Sequence, residues 1–187
     1  MGEGGPKQKF QQKFFDAGAG QVAAGSQTAL AAAPSVLRIG LASGALASLA
    51  STAALMLCGR RETGSYAAAT NAISHWVWDR SAFAVYRPTL RHTALGYAIH
   101  HAMSTFWALL YARLFGVRPG GRSLPAALAA AGVASAAACV VDYTVTPKRL
   151  TPGFEHHLSR PAMAIVYASF ALGLAAGCIA ARRVGRR

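Results

Sequence analysis

Charged residues are scarce in this sequence. Asp, Glu, Lys and Arg make up 13% of its 187 residues, about half the share that a soluble domain usually carries. The charges are clumped, and long stretches between them carry none. A soluble domain of this length needs a polar surface, and too few charges are present to form one. The scarcity of charge excludes an ordinary soluble domain and predicts a chain that is solvated mostly by lipid.

Cysteine is also rare. Cys58, Cys139 and Cys178 all lie inside apolar runs, and no C-x-x-C spacing occurs. An odd number of thiols in lipid argues against a disulfide framework and against a thiolate metal site. The sequence also lacks the Walker, G-x-S-x-G and H-E-x-x-H motifs, so the common nucleotide-binding, hydrolase and metalloprotease classes have no support.

Acidic residues are the scarcest charges. Six Asp and Glu stand against 19 Lys and Arg, which gives a net charge of +13. The basic residues flank the apolar runs and do not form one continuous face, which argues against nucleic acid as a partner. Basic flanks are typical of spanning helices in membranes that contain anionic lipid. We therefore expect the lipid bilayer and its anionic lipids to be the partners of this surface.

Long apolar runs are what the sequence does contain. A helix needs about 20 apolar residues to cross the hydrocarbon layer. Four segments meet this length, and they predict spans at about 39–58, 93–115, 124–143 and 161–181. Residues 36–187 are thus expected to form an all-α integral membrane four-helix bundle, and residues 1–35 a flexible, basic N-terminal lead-in.

The connection 62–91 predicts one further helix. Tyr66 to Arg80 places Tyr66, Ala69, Ile73 and Trp76 on one face, and Trp76 and Trp78 suit the headgroup region. The apolar run is too short to span the bilayer. We expect an interfacial helix here.

Small residues recur at helical spacing in two of the predicted spans. They are Gly40, Gly44, Ser48 and Thr52 in the first span, and Gly173 and Gly177 in the fourth. Such strips let another helix approach closely. They are expected to serve helix packing, either within the chain or against a partner. A structural or assembly protein that binds partner helices, or a homodimer, is therefore one reading of the sequence.

The distribution of Lys and Arg indicates an orientation. If both termini lie on one side, that side carries eleven of the 19 basic residues. Basic residues accumulate on the cytoplasmic side of membrane proteins. We expect a multi-pass protein of a bacterial-type inner membrane with both termini in the cytoplasm.

Histidines and acids collect on one side of the predicted bundle. His100 and His101 lie about 10–12 Å inside the second span, at 1.5 Å per residue, and His92 lies at its mouth. Asp142 ends the third span, and Glu155 lies in the loop that follows. Imidazole and carboxylate groups bind divalent transition metals, and histidine also relays protons near neutral pH. These five residues predict a one-sided pocket that holds a divalent metal ion or passes protons.

Two other interpretations of these residues remain open. In the first, the loop histidines are ordinary interfacial residues, and His100 and His101 are hydrogen-bond donors between helices. In the second, the protein is a membrane enzyme that acts on lipid through Asp142 or Glu155 and a histidine. Haem ligation needs deep histidines on two helices, and only the second span has them. The sequence favours a transport or accessory component over an enzyme.

Overall fold

The computed structural model describes the backbone of residues 6–117 and 123–184, and their side chains from Ser35 onward. Within these ranges all regular secondary structure is helical. The chain divides into two compact units, Met1–Ser35 and Val36–Arg187. The sequence predicts a flexible lead-in over residues 1–35; the structure gives their backbone from Pro6 onward as the first part of one helix, Pro6–Thr63, and describes no side chain before Ser35. Their flexibility stays a prediction.

Six α-helices follow one another along the chain. They are α1 (Pro6–Thr63), α2 (Ala68–Ile73), α3 (His75–Trp78), α4 (Leu95–Tyr111), α5 (Leu124–Val140) and α6 (Arg160–Val184). Wider π-helical turns extend α4 at both ends (Leu90–Ala94 and Ala112–Gly116) and α5 at its end (Val141–Val145). Short 3₁₀ segments, Asp79–Ala84, Lys148–Leu150 and Phe154–His156, complete the connections.

Three helical segments among the described residues are long and apolar enough to cross a membrane. They are Ser35–Thr63, Leu124–Val145 and Arg160–Val184, and they coincide with the first, third and fourth predicted spans. The second predicted span is not among them. Its α-helix, Leu95–Tyr111, has 17 residues, the same number as α5, and π-helical turns lengthen both helices. The difference from α5 lies in polar side chains such as His100, His101 and Ser104, which make α4 less apolar.

These three long apolar helices carry many of their large apolar side chains outward. Leu49 and Leu57 on α1, Val133 on α5 and Leu172 on α6 are exposed, whereas Ser43, Ser48 and Ser51 on α1 are buried. In water this arrangement would leave a large apolar surface exposed. In lipid it is the expected one, because leucine is solvated by acyl chains and small or polar residues pack between helices.

Glycine brings α1 and α6 together. A Cβ atom built at Gly177 would collide with the backbone of Ala42 and Ser43, and one at Gly173 with the backbone of Leu46 and Ala47. Only residues without a side chain permit this contact, which explains their four-residue spacing.

A second pair of glycines joins α1 to α4. A Cβ at Gly44 would lie 2.8 Å from the Cα of Thr105, and one at Gly40 would lie 2.5 Å from the Leu109 side chain. Ser48 is buried one turn further along α1. Both predicted strips are therefore covered by helices of the same chain.

The predicted interfacial helix differs from the structure. It breaks at Ser74 into α2 and α3, and every residue of α2 is buried. Small side chains let α2 pack against α4, where Gly96 lies directly against the Thr70 carbonyl. The break leaves polar groups of Asn71 and Ser74 in the interior, where both form hydrogen bonds. Helix α2 is therefore an internal element and not a surface one.

Candidate functional site

A cavity of about 190 Å³ lies within the unit formed by residues 36–187. Helices α2 to α6 and the connection between α5 and α6 all contribute to its walls. Its surface is mostly apolar, with a group of aromatic side chains from Trp76, Trp107, Phe154, Tyr167 and Phe170. The polar side chains at its wall are those of His100, Ser104, Asp142, Thr146 and Tyr167. The cavity thus combines an aromatic environment with a few hydrogen-bonding groups, as small-molecule sites usually do.

His100 is fixed by a hydroxyl group of α1. Its Nε2 atom lies 2.8 Å from Ser51 Oγ, and that oxygen lies 2.7 Å from the Ala47 carbonyl. A hydroxyl has one proton to donate. Because this proton is directed at the Ala47 carbonyl, Nε2 of His100 is the donor to Ser51. The other nitrogen, Nδ1, is then the hydrogen-bond acceptor of the neutral ring.

Asp142 is held by a tyrosine from the next helix. The hydroxyl of Tyr167 donates to Asp142 Oδ2 over 2.6 Å, and the Tyr167 carbonyl accepts from Ser135 Oγ at 2.7 Å. The first bond satisfies one carboxyl oxygen of Asp142. The carboxyl group and the tyrosine therefore act as one unit that joins the end of α5 to the middle of α6.

The connection between α5 and α6 forms one wall of the cavity. Leu150, Pro152 and Phe154 face it, and the Trp76 indole Nε1 donates to the Thr151 carbonyl over 2.9 Å. Gly153 makes the turn with a φ angle of +88°, and a Cβ there would lie 2.6 Å from the Ala72 carbonyl. Only glycine suits both requirements. The connection is thus fastened to α2 and α3 across the cavity.

The remaining predicted site residues lie elsewhere. His101 stacks near Tyr97, with ring centroids 5.8 Å apart, and its buried Nδ1 has no hydrogen-bond partner among the described residues. His92 is buried, and its Nδ1 lies 3.1 Å from Ser74 Oγ. Glu155 is half-buried, and one of its carboxyl oxygens likewise lacks a partner within the described chain. Only His100 and Asp142 of the five line the cavity.

The loop histidines pack against aromatic rings. His75 lies 5.2 Å from Phe83, and Phe83 lies 4.0 Å from His156, between ring centroids. His157 lies 5.4 Å from Tyr86. Burial of His157, with a smaller contribution from neighbouring His156, lowers its pKa below the ordinary value, and a backbone hydrogen bond at Phe83 partly opposes this shift. The packed interface around His157 therefore favours its neutral ring over the charged one.

The geometry does not assemble a metal centre within the described residues. No group of three His, Cys, Asp or Glu side chains converges there as an ion requires. The divalent metal ion expected from the sequence thus lacks a ligand set in this part of the chain.

Two residues of the site, Tyr167 and Ser51, were not predicted from the sequence. Both lie in apolar runs, where a hydroxyl group resembles an ordinary packing residue. A carboxyl group in lipid needs a hydrogen-bond donor. This requirement on Asp142 is the one signal in the sequence that could have indicated a partner such as Tyr167.

Comparison with known proteins adds no family to this description. No protein-family model, no curated protein and no solved structure matches the chain.

Proposed function

We propose that this chain is a multi-pass membrane protein, a bundle of four spanning helices, that binds a small membrane-soluble molecule. The molecule would occupy the cavity lined by α4, α5 and α6 and would carry an apolar ring and a hydrogen-bond donor. The observation that carries the proposal is the cavity itself, with its aromatic walls and with His100 and Asp142 at its surface.

The size of the cavity limits the part of the ligand that it encloses. An apolar cavity of about 150 Å³ is large enough for a benzene molecule. The volume of about 190 Å³ found here therefore suits a single ring with one or two further heavy atoms. A longer apolar tail would extend into the surrounding lipid.

The polar groups favour a ligand that donates hydrogen bonds. The carboxyl group of Asp142 has an oxygen left after its bond to Tyr167, and His100 offers Nδ1 because Nε2 is used by Ser51. An ionised carboxyl group and the unprotonated nitrogen of a neutral imidazole are both hydrogen-bond acceptors. Aromatic faces also attract cations. A protonated amine on an apolar ring combines the two preferences and is the ligand chemistry that we assign to the site.

The four-span arrangement supports a site inside the membrane. Helix α4 fills the space beside α1 through the Gly40 and Gly44 contacts, and its π-helical ends bring the helical stretch to Leu90–Gly116. We propose that α4 spans the bilayer with the three longer helices, in a bacterial-type inner membrane with both termini in the cytoplasm. The assembly alternative is less favoured, because both glycine strips are covered by the chain's own helices.

A matched series of ring compounds tests the assignment. Benzylamine, benzyl alcohol and toluene share one ring and differ in the donor that they carry. Their binding to purified protein in neutral detergent, measured by calorimetry, should weaken in that order. Asp142→Asn should reduce benzylamine affinity by about tenfold or more while leaving toluene unaffected. Glu155→Gln is the control, since this acid does not line the cavity.

Filling the cavity supplies an independent check. Ala138 lines the cavity, whereas Ala136 lies exposed on the same helix. Ala138→Leu should abolish binding of all three compounds, and Ala136→Leu should not. The proposal fails if toluene binds as well as benzylamine, or if Ala138→Leu leaves binding intact in a protein that remains folded.

A further inference from the structure

A second concave site lies outside the cavity, where the chain passes from α3 to α4. It is an open recess of about 540 Å³ formed by residues within 84–92, and we call it the basic groove. Arg87, Arg91 and His92 contribute its ionisable side chains, and no acid lines it. The groove therefore concentrates positive charge in a recess.

The two arginines of the groove have no acidic partner. Neither Arg87 nor Arg91 forms an ion pair within the part of the chain that the structure describes. The Arg91 guanidinium lies over the Trp78 ring, 4.1 Å from its centroid, and the Trp78 indole donates to the Arg91 carbonyl over 3.1 Å. Stacking of this kind orients a guanidinium and leaves its N–H groups in plane for an anion.

A buried asparagine holds the groove in shape. The Asn71 side-chain amide donates to the carbonyls of Val85 (2.7 Å) and Arg87 (3.0 Å), and its oxygen accepts from Thr93 at 2.6 Å. Asn71 is fully buried. A loop fixed in this way does not have to be ordered when a ligand binds, which lowers the cost of binding.

The groove lies at the end of the helices where aromatic residues accumulate. Tyr66 and Tyr86 are exposed there, and Trp78 is half-buried. Tyrosine and tryptophan prefer the headgroup level of a bilayer, and arginine binds phosphate through paired N–H groups. We propose that the basic groove binds a phosphate group, and specifically the headgroup phosphate of an anionic membrane lipid. This site is separate from the cavity and does not depend on its ligand.

Lipid titration of delipidated protein in neutral detergent tests the proposal. Phosphatidylglycerol, phosphatidylcholine and inorganic phosphate are compared by native mass spectrometry and by the midpoint of thermal unfolding. We expect phosphatidylglycerol to bind at least tenfold more tightly than phosphatidylcholine and to raise the midpoint. The double variant Arg87→Gln, Arg91→Gln should lose at least tenfold in affinity for phosphatidylglycerol while unfolding at the native midpoint without lipid.

A charge-matched control separates the groove from bulk attraction. Arg80 and Arg149 are exposed and lie outside the groove, so the double variant Arg80→Gln, Arg149→Gln should bind phosphatidylglycerol as the native protein does. Equal loss in both double variants, or equal binding of the two lipids, would overturn the site. Inorganic phosphate that binds as tightly as phosphatidylglycerol would overturn the lipid as its source. The proposal is also refuted if the variant Arg87→Gln, Arg91→Gln has a lower unfolding midpoint but keeps the native affinity for phosphatidylglycerol.

Discussion

Gly177 lies where α6 and α1 approach most closely, and it has no room for a side chain. The Cβ of Gly177→Ala would collide with the backbone of Ser43, and backbone cannot move aside as the end of a flexible side chain can. Overpacking of this kind costs about 1–3 kcal/mol. We expect Gly177→Ala to lower the midpoint of thermal unfolding in detergent.

Gly132 provides the control for this substitution. It lies within α5, and a Cβ there would meet nothing within 4 Å. Alanine favours a helix over glycine by about 0.5–1 kcal/mol, so Gly132→Ala should leave the midpoint unchanged or raise it. A Gly177→Ala protein as stable as the Gly132→Ala protein would show that α1 and α6 are not packed as described.

Single residues mark the limit of what the sequence predicts about the site. His100 and Asp142 were identifiable because a polar group inside an apolar run has a high cost, and the structure places both at the cavity. His101 follows His100 in sequence but does not line the cavity, because adjacent residues of a helix differ by about 100° in direction. The sequence alone could not decide which of the two faces the cavity.

At the scale of helices, the start of α5 was predictable and the contacts between helices were not. Ser123 and Pro125 begin α5 as their residue types favour, with the Ser123 hydroxyl accepting from the Ala126 amide at 3.3 Å. The glycine strips indicated close packing without saying which helix each strip meets. Helix α2 was misjudged because its aromatic neighbours suggest a surface position, while its alanines and Asn71 suit a buried one.

The start of α6 is tied to the end of α1 by one side chain. The Ser159 backbone amide and hydroxyl donate to the two Glu62 carboxyl oxygens, each over 2.6 Å. The Ser159 hydroxyl also accepts from the Ala162 amide at 3.4 Å. We expect Ser159→Ala to reduce the free energy of unfolding by about 1 kcal/mol, as loss of a helix N-cap does. Glu62→Ala should cost less, because water can take the place of the Glu62 carboxylate at the exposed amide and hydroxyl of Ser159.

A double-mutant cycle measures whether the two residues act together. Combining Glu62→Ala with Ser159→Ala should cost less than the two single effects added, because each variant alone already removes the bond between the Ser159 hydroxyl and Glu62. The bond from the Ser159 backbone amide survives in Ser159→Ala and is not measured by the cycle. Ser123→Ala is the control, since its cap on α5 involves no acid. Glu62→Ala and Ser123→Ala should be additive. If the effects of Glu62→Ala and Ser159→Ala were also additive, the bond between these two side chains would contribute nothing to the free energy of unfolding.

For the whole molecule, the composition predicted more than any motif did. The scarcity of charge indicates a lipid-solvated, all-helical chain, and three helices have the required length and hydropathy. The fourth span stays a proposal, because α4 is less apolar than the other three helices and not because it is shorter. Helices α4 and α5 each have 17 residues of regular α-helix extended by π-helical turns, but α4 carries a polar face of histidine, serine and threonine. The polar side chains that α4 contributes, His100 and Ser104 at the cavity wall among them, make its span the hardest to identify.

The number of spans decides whether the two termini lie on the same side of the membrane. Four spans place both termini on one side, whereas three place them on opposite sides. In a variant without Cys58, Cys139 and Cys178, a single cysteine added at either terminus should resist a membrane-impermeant maleimide in intact cells and react after permeabilisation. Arg149→Cys, in the exposed connection between α5 and α6, should react in intact cells. Labelling of just one terminus from outside would remove α4 from the spanning helices, and with it the intramembrane location of His100.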